Sequence, residues 1–434
     1  MKAPARLPRA LAAATAMVMG LSLAACGNSD SDSGGGDDTI HVLVYGDAAN
    51  KVEKDVIEEF NKTSKVKAVL DTIPGADYQS KLQTIINTKQ APDVFYNWGG
   101  GSIKPFVKAG LLMPLDDMMA KNPKLKSMFL PSVLDAAKVD DKYYGIPMRG
   151  TQPVLLFHNK KVLKDAGVSA PKTWDDLLGA VDRLKDKGVT PISLGGGDKW
   201  PTLMWFEYIY DRVAGPDLLK KALDGDKDVW NSPESKKALQ TISDLEKTGA
   251  FGKNYDSVKQ TDGGSAQLLT SDKAGFELMG SWEFSTINDN QPDFAAKQLG
   301  YSTFPTVPGG KGDPKDLVGN TNNYYSVMKN ATHPEAIAKF LELMYSDHFV
   351  NAQLGIGNLP TTTNAGQKLT SSNNATYLKY QYDRVADAPA FQLSWDQAYT
   401  QDNSTPLQTA IQQFFNGSID QDGFIKAMQG LSTS

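Results

Sequence analysis

The sequence predicts an α/β protein built in two domains. Three observations lead there. From Thr39 to Trp98, short apolar runs alternate with stretches whose apolar residues recur at helical spacing. Those runs are closed by turn formers: Gly46, Pro74-Gly75 and Gly99-Gly-Gly101. The length, 434 residues of which 40% are hydrophobic, exceeds what one core usually holds.

Thr39 to Tyr45 is an apolar run that predicts a buried strand. Val52, Val56, Ile57 and Phe60 then share one helical face. Lys65 to Thr72 alternates as a second strand, Tyr78, Leu82, Ile85 and Ile86 mark a helix, and Asp93 to Trp98 reads as a third strand. Strands alternating with helices imply a largely parallel sheet. Further on, Val154-Leu-Leu-Phe157 is an apolar strand, and Thr173 is placed to cap a helix over Trp174–Lys187. Pro191–Leu194 is a strand that ends in Gly195-Gly-Gly197. Helices are expected around Leu203–Arg212 and Lys236–Lys247, and strands at Lys273–Met279, Leu299–Phe304 and Tyr324–Met328. The C-terminal third is mostly helical, with Pro334–Tyr345 its clearest segment.

Composition narrows the function. The single cysteine, Cys26, precludes an intrachain disulfide and a cysteine-based metal site. His41, His158, His333 and His348 lack ligand spacing, so neither a metal nor a cofactor is expected. Residues 1–25 carry Lys2, Arg6 and Arg9 ahead of an apolar stretch from Ala10 to Ala25, the pattern of a secretory signal. That stretch is shorter than the ~18 residues of a membrane-spanning helix. Without those three cations, 42 of the 45 basic side chains remain against 50 acidic ones, a balance near −8. Such a surface, with no basic cluster, disfavours nucleic acid as a partner.

Leu23-Ala24-Ala25-Cys26-Gly27 resembles the bacterial lipobox, in which small residues admit a peptidase and the thiol accepts a diacylglyceryl group. The polar run of residues 26–38 that begins at Cys26 cannot form a core. As a flexible tether it spans about 20 Å on average. Anchored at the outer face of the cell membrane, the folded part stays within reach of a membrane partner.

The order of motifs from Thr39 onward resembles the family of extracellular solute-binding proteins that includes maltose-binding protein. The segments that carry the likeness are Ala91-Pro-Asp-Val-Phe95, Ala109-Gly-Leu-Leu112, Tyr144-Gly-Ile-Pro147, Phe157-His-Asn-Lys160, Lys172-Thr-Trp-Asp-Asp176 and Met279-Gly-Ser-Trp-Glu283. Trp98-Gly-Gly-Gly and Asp198-Lys-Trp-Pro201 look like a branch handling short, xylobiose-like oligosaccharides. The resemblance implies the two-lobed type II periplasmic-binding-protein fold, with a hinge and a ligand cleft between the lobes. One lobe would comprise residues 39–150 with a return over about 299–328. The other would comprise mainly 151–298 and 329–434. The implied function is that of a monomeric receptor, not an enzyme, which hands a carbohydrate to the transmembrane subunits of an ABC importer.

A sugar offers hydroxyls at its rim and an apolar C–H face, so a site for it needs planar polar groups and aromatic rings. Trp98, at a strand end before three glycines, suits a stacking role, since glycine lets a ligand approach the backbone; the alternative is a core ring beside a tight turn. Trp282 stands where the family places a cleft aromatic, and with Trp98 it would sandwich the ligand. Asp47 matches the family's hydroxyl acceptor, or is a turn aspartate. Arg149 falls where the family has a cleft carboxylate, and its guanidinium fork also reads hydroxyls. Asp198, Lys199 and Trp200 follow a strand end, where open α/β sheets bind ligands; the alternative is that one of them caps a helix. Glu283 is a candidate or a helix cap, and Asn320, Asn322 and Asn323 either face the cleft or shape a turn. Tyr78, Trp395 and Asp396 complete the set.

Two rivals remain at this level. A secreted glycoside hydrolase would need two carboxylates across the scissile bond. No P-loop, Gly-x-Ser-x-Gly elbow or His-Glu-x-x-His is present. The same fold could alternatively hold a peptide or another small solute.

Overall fold

A computed structural model describes residues 38–261 and 263–432. Its strands, in chain order, are β1 (Thr39–Gly46), β2 (Lys67–Pro74), β3 (Val94–Asn97), β4 (Lys138–Val139), β5 (Lys142–Tyr143), β6 (Ile146–Pro147), β7 (Gln152–Asn159), β8 (Thr190–Ser193), β9 (Ala274–Gly280), β10 (Leu299–Ser302), β11 (Leu317–Asn320), β12 (Tyr324–Val327) and β13 (Phe391–Leu393). Two sheets organise two lobes. The first has the order β2-β1-β3-β12-β6; the second runs β13-β11-β7-β9-β8, with β10 also on β7.

In the first lobe β1 pairs in parallel with β2 and β3, as the alternation predicts. The helix Asn50–Thr63 buries Val52, Val56, Ile57 and Phe60 against this sheet, the face read from its periodicity. In the second lobe every residue of β7 and β9 is buried, the polar Gln152, His158, Asn159 and Glu277 included. The helix Trp174–Asp186 starts in a reciprocal capping box: Asp176 N–H donates to Thr173 Oγ1 at 3.2 Å, and Thr173 N–H donates to Asp176 Oδ2 at 2.9 Å. Such a cap is worth ~1 kcal/mol.

The parallel pattern holds for β1, β2 and β3, the strands it was read from, and does not extend throughout the rest of the sheets. β7 enters the second sheet directly from the first lobe, with no crossover helix before it, and pairs antiparallel with β9, β10 and β11. β12 is likewise antiparallel to β3 and β6. The return to the first lobe is also narrower than residues 299–328. β10 and β11 stay with β7, and only β12 joins the first sheet. Residues 329–434 divide between the lobes rather than lying mainly in the second. Ile337, Phe340, Leu341, Phe349 and Leu354 enter the first core, where Phe340 meets Phe60 edge-on at 5.7 Å. Trp395, Leu407, Ile411, Phe415 and Phe424 enter the second.

Three segments cross between the sheets side by side. β6 leads into β7, β11 leads into β12, and the chain around Leu359 runs against both. Met148 N–H donates to Asn323 O at 2.9 Å and Thr151 N–H to Leu359 O at 3.0 Å. Gly150 is required here, because a Cβ would lie 2.2 Å from Leu359 O.

Candidate functional site: two aromatic faces

On the second lobe, β8 ends in Gly195-Gly-Gly197, and these glycines receive a distant piece of chain. A Cβ on Gly195 would lie 2.8 Å from Gln260 N, and one on Gly197 would lie 2.9 Å from Val258 O. Gly196 and Gly197 donate backbone N–H groups to Tyr255 O and Val258 O. The half-buried Asp198 follows, and its Oδ2 accepts from Thr261 N at 2.8 Å and Thr261 Oγ1 at 2.9 Å. Lys199 has a positive φ of 65° and reaches Thr409 Oγ1 at 3.4 Å. Trp200 opens the helix Trp200–Ala214, and its half-buried ring lies 6.1 Å from that of Trp282 at an interplanar angle of 51°. Trp282 folds back over Gly280, where a Cβ would lie 1.9 Å from its ring. No other residue type at position 280 leaves room for that indole.

On the first lobe Trp98 is half-buried and meets three tyrosines edge-on: Tyr96 at 5.0 Å, Tyr45 at 5.8 Å and Tyr78 at 5.9 Å. The glycines after Trp98 do for their own chain what was expected for a ligand. A Cβ on Gly101 would lie 2.2 Å from Tyr399 O, and one on Gly100 would lie 3.0 Å from Gln397 O. Burial, then the charge of Asp47 and more weakly that of Asp198, pushes the Tyr45 phenol up to about 12, while Arg149 opposes them. Asp198 belongs to the other lobe, and its charge still reaches Tyr45. Lys51 Nζ also reaches Asp289 Oδ1 across the lobes at 2.5 Å.

Arg149 is turned inward. Its Nη1 lies 2.6 Å from Asp47, its Nη2 2.7 Å from Glu53, and its Nε donates to Glu53 at 2.8 Å. Nη2 also donates to Tyr45 O at 3.2 Å, and the guanidinium covers the Tyr96 ring at 4.8 Å. A fork so engaged, with its side chain 2% exposed, reads the protein rather than a solute. Asp47 holds Arg149 with one oxygen and Ala49 N–H with the other, at 2.9 Å, yet its side chain is 34% exposed.

The remaining candidates lie in the interior, apart from the half-buried Asp396. Tyr78 is fully buried and donates to Tyr96 O at 2.7 Å. Glu283 does not cap its helix; it is fully buried and accepts from Gln260 Nε2 at 2.7 Å. Trp395 is a core ring against Tyr210 and Trp230, at 5.1 and 5.3 Å. Asp396 accepts from Gln408 at 3.0 Å. The polar run is a lobe crossing: Asn320 donates to Gln152 Oε1 and accepts from Gln397, Asn322 donates to Thr361, and Asn323 is buried beside Met148. The structure therefore gathers Asp47 and Trp98 on one face, and Asp198, Trp200 and Trp282 on the other. Tyr45, Gln260 and Thr261 were missed by sequence reasoning. Tyr45 had a usable signal as the last aromatic of β1; Gln260 and Thr261 had none.

Known proteins agree with this architecture. The model of the bacterial extracellular solute-binding protein family matches residues 46–348. The chain is 25% identical over 417 residues to the diacetylchitobiose binding protein of Streptomyces coelicolor, covering 93% of each. It is 28% identical over 277 residues to an ABC transporter extracellular-binding protein of Pyrococcus horikoshii, covering 62% of this chain and 58% of that one. A solved structure from work on xylan utilisation by Caldanaerobius polysaccharolyticus superposes with a TM-score of 0.82 at 26% identity, over 90% of this chain and 99% of that one. A chitin oligosaccharide binding protein shares the fold, with a TM-score of 0.79 at 24% identity over 90% and 98% of the two chains. Proteins of this family bind solutes outside the cytoplasm and are not enzymes. With its two lobes, its three crossings and this match, the chain belongs to the bacterial extracellular solute-binding protein family.

Proposed function

We propose that the chain captures a short neutral oligosaccharide in the cleft between its lobes and delivers it to the transmembrane subunits of an ABC importer. The observation that carries this reading is the pair of half-buried indoles, Trp200 and Trp282, beside the carboxylate of Asp198. Indole faces match the C–H faces of sugar rings, and carboxylate oxygens accept from hydroxyls. Trp98 and Asp47 offer the same chemistry from the first lobe. The relatives named for diacetylchitobiose and chitin oligosaccharides support a β-linked di- or oligosaccharide as the class.

A thermal-shift screen over mono-, di- and trisaccharides tests this. A ligand present at ~100 times its Kd should add ~2.7 kcal/mol to the native state and raise the melting temperature. Stabilisation by peptides and by no sugar would replace this reading with peptide capture.

The anchor belongs to the same proposal. Cys26 lies outside the described residues, and its lipidation rests on Leu23-Ala24-Ala25-Cys26 alone. In a bacterial host, Cys26→Ala should move the protein from the membrane fraction to the soluble one. An unchanged membrane fraction would sink the anchor.

A further inference from the structure

Two parts of the second-lobe face arise far apart in the chain, Asp198-Lys-Trp200 after β8 and Trp282 after β9. A polar bridge joins them. Asp198 accepts twice from Thr261; the next residue back, Gln260, donates to Glu283 at 2.7 Å; and Glu283 is the neighbour of Trp282. Gln260 Oε1 in turn accepts from Ser265, whose backbone carbonyl accepts from Ser193 Oγ at 2.8 Å. Running alongside this bridge is the indole pair itself, with Trp200 tied back to Asp198 by an N–H···O bond of 2.8 Å.

We propose that Gln260 and Glu283 are positioning residues: their buried hydrogen bond fixes the spacing and tilt of Trp200 against Trp282, and so sets which sugar-ring geometry the second lobe accepts. The proposal rests on the carbohydrate reading for its ligand, although not for its geometry. Three observations support it. Glu283 is fully buried, so its bond to Gln260 is not shared with water. Gly195 lets the Gln260 backbone sit directly on the strand end that launches Asp198, since a Cβ there would lie 2.8 Å from Gln260 N. Burial, reinforced by the neighbouring Glu277, raises the Glu283 carboxyl well above the usual range, so its neutral form is matched in shape by glutamine.

Near-ultraviolet circular dichroism reads the mutual orientation of two close indoles without any ligand. Q260A and E283A should change the tryptophan bands and weaken binding of diacetylchitobiose or xylobiose by about tenfold, close to 1.4 kcal/mol. E283Q should restore the bands and the affinity that E283A loses, an outcome that general weakening of the core does not produce. T261V removes one bond to Asp198 at an exposed position and keeps the test readable if Q260A fails to fold; it should shift the same bands in part. Wild-type bands and wild-type affinity in Q260A, or in T261V where Q260A does not fold, would overturn the proposal. If the wild-type protein binds neither sugar, the carbohydrate reading fails, and the dichroism alone decides the bridge.

Discussion

Arg149→Met should cost the folded state about 3–5 kcal/mol, the usual penalty for removing one partner of a buried ion pair. Glu53 is 1% exposed in its side chain and takes two of the Arg149 bonds, so the substitution leaves a carboxylate with nowhere to put its charge. Burial already raises the Glu53 carboxyl, and Arg149 is the strongest influence lowering it. Taking the arginine away therefore favours the protonated form. A glutamate whose folded-state value is raised stabilises the fold below the ordinary carboxylate range and loses that contribution as pH climbs through the raised value. The R149M defect should accordingly be smallest in acid and grow towards neutrality. Adding Glu53→Gln should recover much of the loss, since removing both charges of a buried pair is often nearly neutral. Denaturant unfolding of the two variants at about pH 5 and about pH 8 measures this. Full stability in R149M with lost sugar binding would instead return Arg149 to the role of ligand contact.

Trp282→Ala should weaken sugar binding by tenfold or more, from ~1.4 kcal/mol per decade. The ring is half-buried, backed by Gly280 and Trp200, so its removal takes away stacking and apolar contact together. Trp98→Ala should weaken binding through the first lobe, and its cost should fall partly on stability as well, because Tyr45, Tyr78 and Tyr96 all rest against that ring. Titration calorimetry of both variants, with melting curves of the free proteins, separates the two effects. Unchanged affinity in W282A would remove that ring from the site. A loss in W282A alone would keep the second-lobe site and exclude a sandwich between lobes.

What could be read in advance was what neighbouring residues dictate. The helix face of Val52, Val56, Ile57 and Phe60 follows from a period of 3.6, and the Thr173 cap follows from a threonine standing just ahead of the helix. Trp98 and Trp282 were legible because strand ends bordered by glycine are where α/β sheets expose side chains. Beyond β1–β3 strand direction was not legible, since apolar runs carry no sign of polarity and the crossing from the first lobe delivers β7 antiparallel to β9. The glycine runs misled for a related reason. Glycine signals that something approaches closely, and here the visitor is the protein's own chain, Tyr399 at one run and Gln260 at the other. Arg149 met its carboxylates 96 and 102 residues away, so no local pattern announced that its fork was already filled.

One neutral oligosaccharide is expected to bind between the lobes and to leave unchanged. Calorimetric titration of the purified protein with diacetylchitobiose and xylobiose, followed by recovery and product analysis of the ligand, tests it most directly. Saturation at one sugar per chain is expected, with the sugar recovered intact after prolonged incubation. No binding of either sugar or of longer β-linked oligomers, or cleavage over many turnovers per chain, would contradict it.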